Sequence, residues 1–332
     1  SEKAGRSLPA LQELDYLLGV SDEARSGALR FTALDGGPFL AQGDTGVPPI
    51  VDLASLLDAS DRIDADEDDE DALALLLAPG SSLGGARPKA SVRDRDGTLA
   101  IAKFPRVADD YEVERWEATA TALASRAGIL APEMRIEDVG DRAVFVARRF
   151  DRQYTHRVPF LSALTMLGTT DREHRSYPEI AEVIRQHGAH PKRDLEELFR
   201  RTVFSVLISN TDDHLRNHGF LYAGTDGWDL SPAFDLNPTP TDVKPRVLST
   251  SLTLDDDFTA NLGLALEQHA HYDLKLDRAR SITAEVGRAV AEWRLVARSH
   301  GLNRRACDRL ATAFEHEDLA KARAATTRRA PS

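Results

Sequence analysis

The sequence of 332 residues predicts an α+β protein, and its length allows either two domains or one bilobed unit. Two turn signals, Asp96-Gly97 and Gly140-Asp141, lie between extended runs in the first half and predict hairpins. In the second half, apolar residues recur at helical spacing. We therefore expect a hairpin-rich N-terminal lobe, residues 1–152, and a mainly helical C-terminal lobe, residues 153–332.

Composition excludes several classes of protein. Cys307 is the single cysteine, which excludes an intramolecular disulfide, a zinc finger and an iron–sulfur cluster. The absence of about 20 uninterrupted apolar residues and of an apolar signal core predicts a cytoplasmic protein without membrane contact. The formal charge of −12 disfavours direct nucleic-acid binding. Seven acids between Asp64 and Asp71 carry over half of it, and they predict a solvated acidic linker, residues 58–71, or else a docking surface for basic partners.

The N-terminal lobe begins irregularly. The first 60 residues are predicted to be an irregular wrap, because Gly and Pro interrupt their short apolar stretches. Asp71 to Leu77 predicts a short helix, and Lys89 to Phe104 predicts the first hairpin. On its second strand, Lys103 shares a face with apolar residues. Such a lysine either reaches solvent at a sheet edge or meets a charged ligand beneath the sheet.

An amphipathic helix and a second hairpin are predicted next. Asp109-Asp110 offers an N-cap, and Gly128 is placed as the glycine that follows the helix. Met134 to Arg148 then predicts two strands around the second turn signal.

The C-terminal lobe is predicted around one long helix. Asp194 to Ser209 carries an apolar stripe that widens towards its end, so this helix should enter the centre of the lobe. His218 to Leu230 predicts a third hairpin. Several helices follow from about residue 256, with Trp293 and Phe314 as core anchors.

Asp212, Asn217 and Asp235 are the candidate catalytic residues. Asp212 and Asn217 lie in the loop that follows the predicted buried helix. The third predicted hairpin can bring Asp235 back to the same edge of the C-terminal lobe. Phosphate transfer from ATP needs a carboxylate to orient the acceptor hydroxyl and hard oxygen ligands for Mg²⁺. Taken alone, Asn210 to Asp213 would be an Asx-rich turn and Asp235 a loop acid. Their occurrence together with Lys103 favours the catalytic interpretation.

Two glutamates are candidates to pair with Lys103. Glu114 and Glu117 lie three residues apart on the predicted helix, and either could direct the ammonium group towards phosphate. Several glutamates on one helix are, however, also typical of a solvated surface.

The loop from Ser81 to Lys89 is a candidate phosphate loop. Gly84-Gly85 lets backbone N–H groups approach an anion, and Arg87 and Lys89 add positive charge. The Walker A spacing is absent, and a plain flexible loop is the alternative.

His214 and His218 suggest a metal-dependent phosphohydrolase as a third class of function, with Asp212 or Asp213 as a further ligand. Their spacing of four residues suits zinc on a helix face, whereas Asn217 and Gly219 favour a loop entering a strand.

Taken together, these residues resemble the HipA-type serine/threonine kinases, the toxins of bacterial toxin–antitoxin pairs. The resemblance runs from about Leu14 through the C-terminal helices. It rests on Tyr16–Val20, Gly27–Phe31, Ser82–Lys89, Ala102–Phe104, Arg149–Arg152, Asn210–His214 with Asn217, Phe234-Asp235 and Asp255–Phe258. It implies a bilobed, divergent protein-kinase-like fold with ATP in the cleft.

The resemblance also implies a role for each matching residue. Asp212 would be the catalytic base, Asn217 and Asp235 would ligate Mg²⁺, and Lys103 would contact the ATP phosphates. Ser82 would be autophosphorylated, which would inactivate the kinase because a phosphate adds a charge of about −1.5 to −2 to the loop that must hold ATP. The other implied nucleotide contacts are Gly84, Gly85, Ala86, Arg87, Lys89, Arg148, Arg149, Phe150, His214, Arg216, Asn217 and Phe234.

The resemblance also has implications for the partners of the protein. The resemblance implies a protein substrate, such as an aminoacyl-tRNA synthetase, and a cognate antitoxin that could be DNA-binding. Arg87-Pro88 and Arg148 depart from the family pattern, and Pro88 removes one N–H from the loop. Full-size relatives carry a further N-terminal subdomain, which we expect either was removed or is supplied by a separate small polypeptide. A catalytically silent kinase-like module that binds an antitoxin or regulator is the alternative function.

Overall fold

The computed structural model describes residues 14, 18–41, 47–65, 87–153 and 156–324. The N-terminal sheet consists of β1 (Lys89–Arg93), β2 (Leu99–Lys103), β3 (Met134–Val139) and β4 (Arg142–Arg148). All pairs are antiparallel, in the order β1-β2-β4-β3. Both predicted hairpins are confirmed. Their turns contain Gly97 and Gly140 at φ of 82° and 63°, a backbone conformation that glycine adopts at little cost.

Helix α1 (Leu53–Asp64) covers one face of this sheet. Leu56 and Leu57 share a buried apolar cluster with Ala102 and Val146. The prediction of an irregular wrap is therefore wrong for this segment. The leucines of α1 have helical spacing. The prediction of irregular structure instead rested on the glycines and prolines of the stretch just ahead of them.

Helix α2 (Val113–Arg126) packs against both the sheet and the core of the C-terminal lobe. The predicted N-cap is wrong, because Glu112 occupies that position without a side-chain cap. Asp109 instead forms an ion pair with Arg87, at 2.5 Å. Gly128 has a φ of 77° just beyond the C-cap residue, as predicted for a glycine that follows a helix.

The C-terminal part begins with short strands and continues mainly as helices. In chain order it contains β5 (Arg152–Gln153), β6 (His156–Arg157), β7 (Phe160–Ser162), α3 (Ala163–Met166), α4 (Tyr177–His187), α5 (Pro191–Leu207), β8 (Gly219–Tyr222), β9 (Trp228–Leu230), α6 (Leu262–Glu267), α7 (Leu276–Val290), α8 (Trp293–Ser299), α9 (Arg304–Arg309), α10 (Ala311–Phe314) and α11 (Glu317–Ala324). Strand β8 lies between β7 and β9, so the third predicted hairpin is confirmed.

The core of the C-terminal lobe surrounds α5. Phe199 and Phe204 of this helix are fully buried, as the widening apolar stripe predicts. The helix begins earlier than predicted, with Pro191 in its first turn, where the missing N–H costs nothing. Trp293 and Phe314 stack at a centroid distance of 4.6 Å and are confirmed as core anchors.

Some predicted features lie outside the described residues, namely the helix from Asp71 to Leu77 and the acidic run beyond Ala65. Within the described ranges, no helix is long and apolar enough to cross a membrane.

Candidate active site

The loop after α5 carries the predicted catalytic residues. Ser209, with a φ of 52°, follows the helix, and the Asn210 N–H donates to the Ser205 carbonyl over 2.9 Å. Asp212 is exposed at the next turn. Asn217 Nδ2 donates to the Asp212 main-chain oxygen over 2.9 Å. The Asn217 amide therefore closes the loop, while the Asp212 side chain faces solvent.

Lys103 joins the two lobes. Its Nζ donates to Glu117 Oε1 over 2.5 Å and to Asp235 Oδ1 over 2.7 Å, and its side chain is 12% exposed. Burial opposes its charge, but the two carboxylates raise the pKa of Lys103. Burial likewise opposes the charge of Asp235, yet Lys103 lowers the pKa of Asp235 to about 2. Lys103 therefore meets charged groups beneath the sheet, which excludes the interpretation as a solvated edge lysine.

Glu114 does not contact Lys103. Its Oε1 accepts a hydrogen bond of 2.8 Å from Arg87 Nη2, and the same guanidinium binds Asp109. The expectation that Glu114 pairs with Lys103 is therefore wrong, and Glu117 is the partner. Residues three apart on a helix differ by about 60° in direction, and here Glu117 reaches beneath β2 while Arg87 holds Glu114.

The basic residues ahead of β1 differ in their surroundings. Two carboxylates neutralise Arg87, which is thereby fastened to the start of α2. Lys89 lies opposite Lys103 in the β1–β2 register. Burial, together with Lys103, lowers the pKa of Lys89. Of these two residues, Lys89 is therefore the one that lies beside Lys103.

Arg149 has a buried structural position. Its guanidinium donates to Asp151 Oδ2 over 2.6 Å and to the Ala24 carbonyl over 2.6 Å, and it also reaches Ser91 Oγ at 3.2 Å. These contacts attach the N-terminal segment to the sheet and occupy the guanidinium of a residue that was expected to lie alongside the nucleotide. A contact of Arg149 with a nucleotide could therefore involve only its main chain.

The other predicted contact residues differ in their surroundings. Phe150 and Phe234 lie 5.6 Å apart between ring centroids, and both pack near Phe160. Arg148 and Arg216 are exposed and form ion pairs with Glu133 and Asp171. The predicted loop residues Ser82, Gly84, Gly85 and Ala86 lie outside the described part of the chain.

Asp213, next to the candidate base, is fully buried and fixes the loop. Its carboxylate accepts hydrogen bonds from Tyr177 Oη over 2.6 Å and from the Ser249 N–H over 2.7 Å, and its carbonyl accepts one from Thr250 Oγ1 over 2.6 Å. Asp213 thus holds the segment around Ser249 against the loop that follows α5. Burial raises the pKa of Asp213 to about 6.

We expect Asp213→Asn to change how stability depends on pH. The folded protein retains a proton on Asp213 between about pH 4 and pH 6, where the unfolded chain has released it. The parent protein should therefore lose about 2–3 kcal/mol of stability relative to the variant as the pH rises through this window, at about 1.4 kcal/mol per unit. Urea unfolding of both proteins at pH 4 and pH 7 measures the difference. Identical pH dependence in parent and variant would contradict it.

The histidines do not form a metal site with Asp213. No group of three or more His, Cys, Asp or Glu side chains able to hold a metal occurs among the described residues. His218 is buried, and burial lowers the pKa of its imidazole to about 4. His214 Nδ1 is buried without a hydrogen-bond partner within the described chain. The observed contacts thus give no support to the phosphohydrolase alternative.

Asn237 was not predicted and lies beside Asp235. Its Nδ2 donates to Asp235 Oδ1 over 3.3 Å, and its N–H donates to Asn210 Oδ1 over 3.3 Å. Asn237 Oδ1 is buried without a partner in the described structure. Asp235 itself has a φ of 59°, a strained conformation of the kind found at functional sites. In the sequence, the available signal for Asn237 was that a polar residue lies two positions after Asp235.

A comparison with protein families bears on this arrangement. The family described as HipA-like C-terminal domain matches residues 81–293, which is most of the chain. The chain belongs to this family. The match includes β1 to β4, the loop after α5 and Asp235, so every element of the described candidate site falls within the HipA-like region.

Two curated relatives of this HipA-like chain are named as kinases. A Haemophilus influenzae protein named "Putative kinase" is 29% identical over 131 residues, which covers 36% of this chain and 38% of the relative. A Sinorhizobium fredii protein named "Putative kinase Y4mE" is 25% identical over 194 residues, which covers 50% of this chain and 44% of the relative. The HipA-like chain thus spans less than half the length of these curated relatives.

A solved structure matches almost the whole chain. It is a chain from the Shewanella oneidensis toxin–antitoxin complex of HipA, HipB and operator DNA, with a TM-score of 0.63, 17% identity, and coverage of 96% of this chain and 82% of that chain. At this identity the likeness concerns the fold. The predicted bilobed, kinase-like α+β fold is confirmed.

Proposed function

We propose that this HipA-like chain is an ATP- and Mg²⁺-dependent serine/threonine protein kinase. The observation that carries the proposal is the Lys103 ammonium between Glu117 and Asp235, at 2.5 and 2.7 Å. Kinase phosphate transfer needs a strand lysine paired with a helix glutamate, and an aspartate that holds the metal. Glu117 lies 14 positions and Asp235 132 positions from Lys103, and the convergence of the three residues is the strongest support for this chemistry.

Each step of the chemistry has a candidate residue. Asp212 would accept the proton of the substrate hydroxyl, and Lys103 would position the phosphates. Asn217 and Asp235 would hold Mg²⁺, which prefers hard oxygen ligands, and the unpartnered Oδ1 of Asn237 adds an oxygen suited to a cation or its bound water. When bound, Mg²⁺ neutralises charge on the phosphates.

The other proposed nucleotide contacts surround the position assigned to the phosphates. The main chain of residues 148–150 would lie alongside the adenine, with Phe234 nearby. The buried, unpartnered Nδ1 of His214 could donate to or accept from a nucleotide or water, and Arg216 would contribute charge at the cleft. We further propose that the loop from Gly84 to Lys89 covers the phosphates and that Ser82 is autophosphorylated.

The biological role proposed is that of a growth-arresting toxin in the cytoplasm. The solved relative from Shewanella is described in complex with HipB and operator DNA, which supports a cognate antitoxin as partner. The protein substrate would be related to translation, as an aminoacyl-tRNA synthetase is.

We propose that the two lobes divide near residue 152, where the N-terminal sheet ends and the C-terminal elements begin.

A catalytically silent module that binds an antitoxin is the second candidate function. The support for this alternative comes from two neighbouring residues, Arg87 and Pro88. Pro88 lacks an N–H in the proposed phosphate loop, and its carbonyl is used by the Phe104 N–H over 3.0 Å. The neutralised Arg87 also contributes little charge to a bound phosphate.

The decisive experiment is phosphate transfer followed by site mapping. The purified chain is incubated with labelled ATP and Mg²⁺, alone and with bacterial lysate, and phosphorylated residues are identified by mass spectrometry. We expect label on Ser82 and on a lysate protein. No incorporation, combined with no rise in melting temperature on adding ATP and Mg²⁺, would contradict the kinase and favour the silent module.

Glu117→Gln is expected to slow phosphate transfer by about tenfold or more. The change removes a charge-assisted hydrogen bond to Lys103, and such bonds contribute about 1.5–3 kcal/mol. Glu112→Gln is the matched control, because Glu112 lies at the start of the same helix and pairs with Arg115, away from Lys103. Equal rates in the two variants would contradict the assigned role of Glu117.

A further inference from the structure

A cavity of about 290 Å³ lies at the end of the N-terminal sheet where β2 begins and β4 ends. The charged residues in its lining are Arg93, Arg148, Arg149, Arg152, Arg157 and Glu23. In a chain with a formal charge of −12, five arginines around one cavity are a marked local excess of positive charge. The proposed kinase chemistry uses none of these guanidinium groups.

Arg93 and Arg148 pair with Glu23 and Glu133, but the deeper arginines of the cavity share their carboxylates. Arg149 Nη2 and Arg152 Nη1 share one oxygen, Asp151 Oδ2, at 2.6 and 2.8 Å. Burial and the charge of Arg149 lower the pKa of Arg152 to about 10. The guanidinium groups therefore repel one another, and an added anion would relieve this repulsion.

Arg157 contributes a buried donor without a partner. Its Nη2 donates to the Asp22 carbonyl over 2.6 Å, but the Asp22 carboxylate is closer to Arg30, at 2.5 Å, than to Arg157, at 3.3 Å. Arg157 Nη1 is buried and has no hydrogen-bond partner among the described residues. A buried N–H without an acceptor is costly, so an anion that reached it would gain a strong, charge-assisted bond.

The cavity is separate from the proposed phosphate site at Lys103. Leu99, which lines the cavity, begins β2, and Lys103 ends it. Four steps along a strand at about 3.3 Å each amount to roughly 13 Å. A phosphate in the cavity would therefore not occupy the position that Lys103 serves.

We propose that this cavity is a second anion site, which binds a phosphate group, either as the free anion or on a phosphorylated side chain. Guanidinium groups bind phosphate oxygens in pairs of parallel hydrogen bonds. A doubly charged anion matches a cluster in which arginines outnumber their carboxylate partners. The volume of about 290 Å³ also leaves room for a small group attached to the phosphate.

The test is calorimetric titration of the full chain with inorganic phosphate, without ATP. We expect one saturable site in the parent protein, and Arg157→Gln should weaken binding by about tenfold through loss of a charge-assisted hydrogen bond. Arg93→Gln, at a more exposed position of the same cavity, should also weaken binding and serves if Arg157→Gln does not fold. Arg95→Gln is the matched control, because it lies next to β1 but pairs with Glu137 and should bind like the parent.

Two further arms separate the sources and the sites. A titration with N-acetyl-phosphoserine amide identifies a phosphorylated side chain as the ligand if it binds more tightly than phosphate, and the free anion if it does not. Lys103→Met should bind phosphate like the parent. Absence of binding, binding unchanged in both cavity variants, or loss of binding in Lys103→Met would overturn the proposal. Because no ATP is present, the result does not depend on kinase activity.

Discussion

Asp212→Asn is expected to lower the rate of phosphate transfer from ATP by about 10²–10⁴-fold, the usual contribution of a positioned general base. The amide cannot accept the proton of the substrate hydroxyl. Asp212 is exposed, and its described loop contact is made by its main-chain oxygen with Asn217, so the fold should tolerate the change. Initial rates of label transfer at saturating ATP measure the effect, and an unchanged melting temperature shows that folding is intact.

The matched control for this variant is Asp226→Asn. Asp226 is also exposed and lies in the turn between β8 and β9, outside the catalytic loop. It should transfer phosphate at the parent rate. An Asp212→Asn rate within a few-fold of this control would remove Asp212 from the role of base.

Asp151→Ala is expected to lower the free energy of unfolding by about 3–5 kcal/mol, as is typical when one partner of a buried ion pair is removed. Asp151 is buried and binds Arg149, Arg152 and the Gly27 N–H at 2.6, 2.8 and 2.7 Å. Although burial raises it, Arg149 lowers the pKa of Asp151 overall, so the carboxylate is charged in the folded state. Its loss leaves two buried guanidinium groups without their shared counter-ion.

Equilibrium urea unfolding measures this loss, with Asp138→Ala as control. Asp138 also pairs with an arginine, Arg115, at 2.5 Å, but its side chain is 64% exposed. Exposed ion pairs contribute about 0–1 kcal/mol. A loss for Asp151→Ala as small as that of the control would show that the buried contacts of Asp151 do not stabilise the fold as expected.

Much of the fold was predictable because its signals are local. The turns at Gly97 and Gly140 require a backbone conformation that glycine supplies, and the apolar stripe of α5 sets its buried face. Predictions failed where a local signal competed with a distant partner. Asp109 is a good N-cap residue by type, yet it binds Arg87, which is 22 positions away.

The candidate site was predictable in residue type but not in pairing. Lys103, Asp212, Asn217 and Asp235 were identified from spacing and resemblance, and Lys103 does meet Asp235 across 132 positions. The choice of Glu117 over Glu114 depends on the rotation of α2 beneath β2. The buried position of the Arg149 guanidinium likewise depends on a distant partner, the Ala24 carbonyl, to which it donates a hydrogen bond.

The sequence by itself determined the order of hairpins and helices, because turn geometry and helical periodicity act between neighbouring residues. Only the tertiary structure decided which charges neutralise one another. Ion pairs form between whichever side chains the packing of lobes brings together, and their strength depends on burial that no short segment controls. That is why only the folded molecule shows Glu117 as the partner of Lys103, and why the cavity lined by five arginines, which come from separate segments of the chain, was found only there.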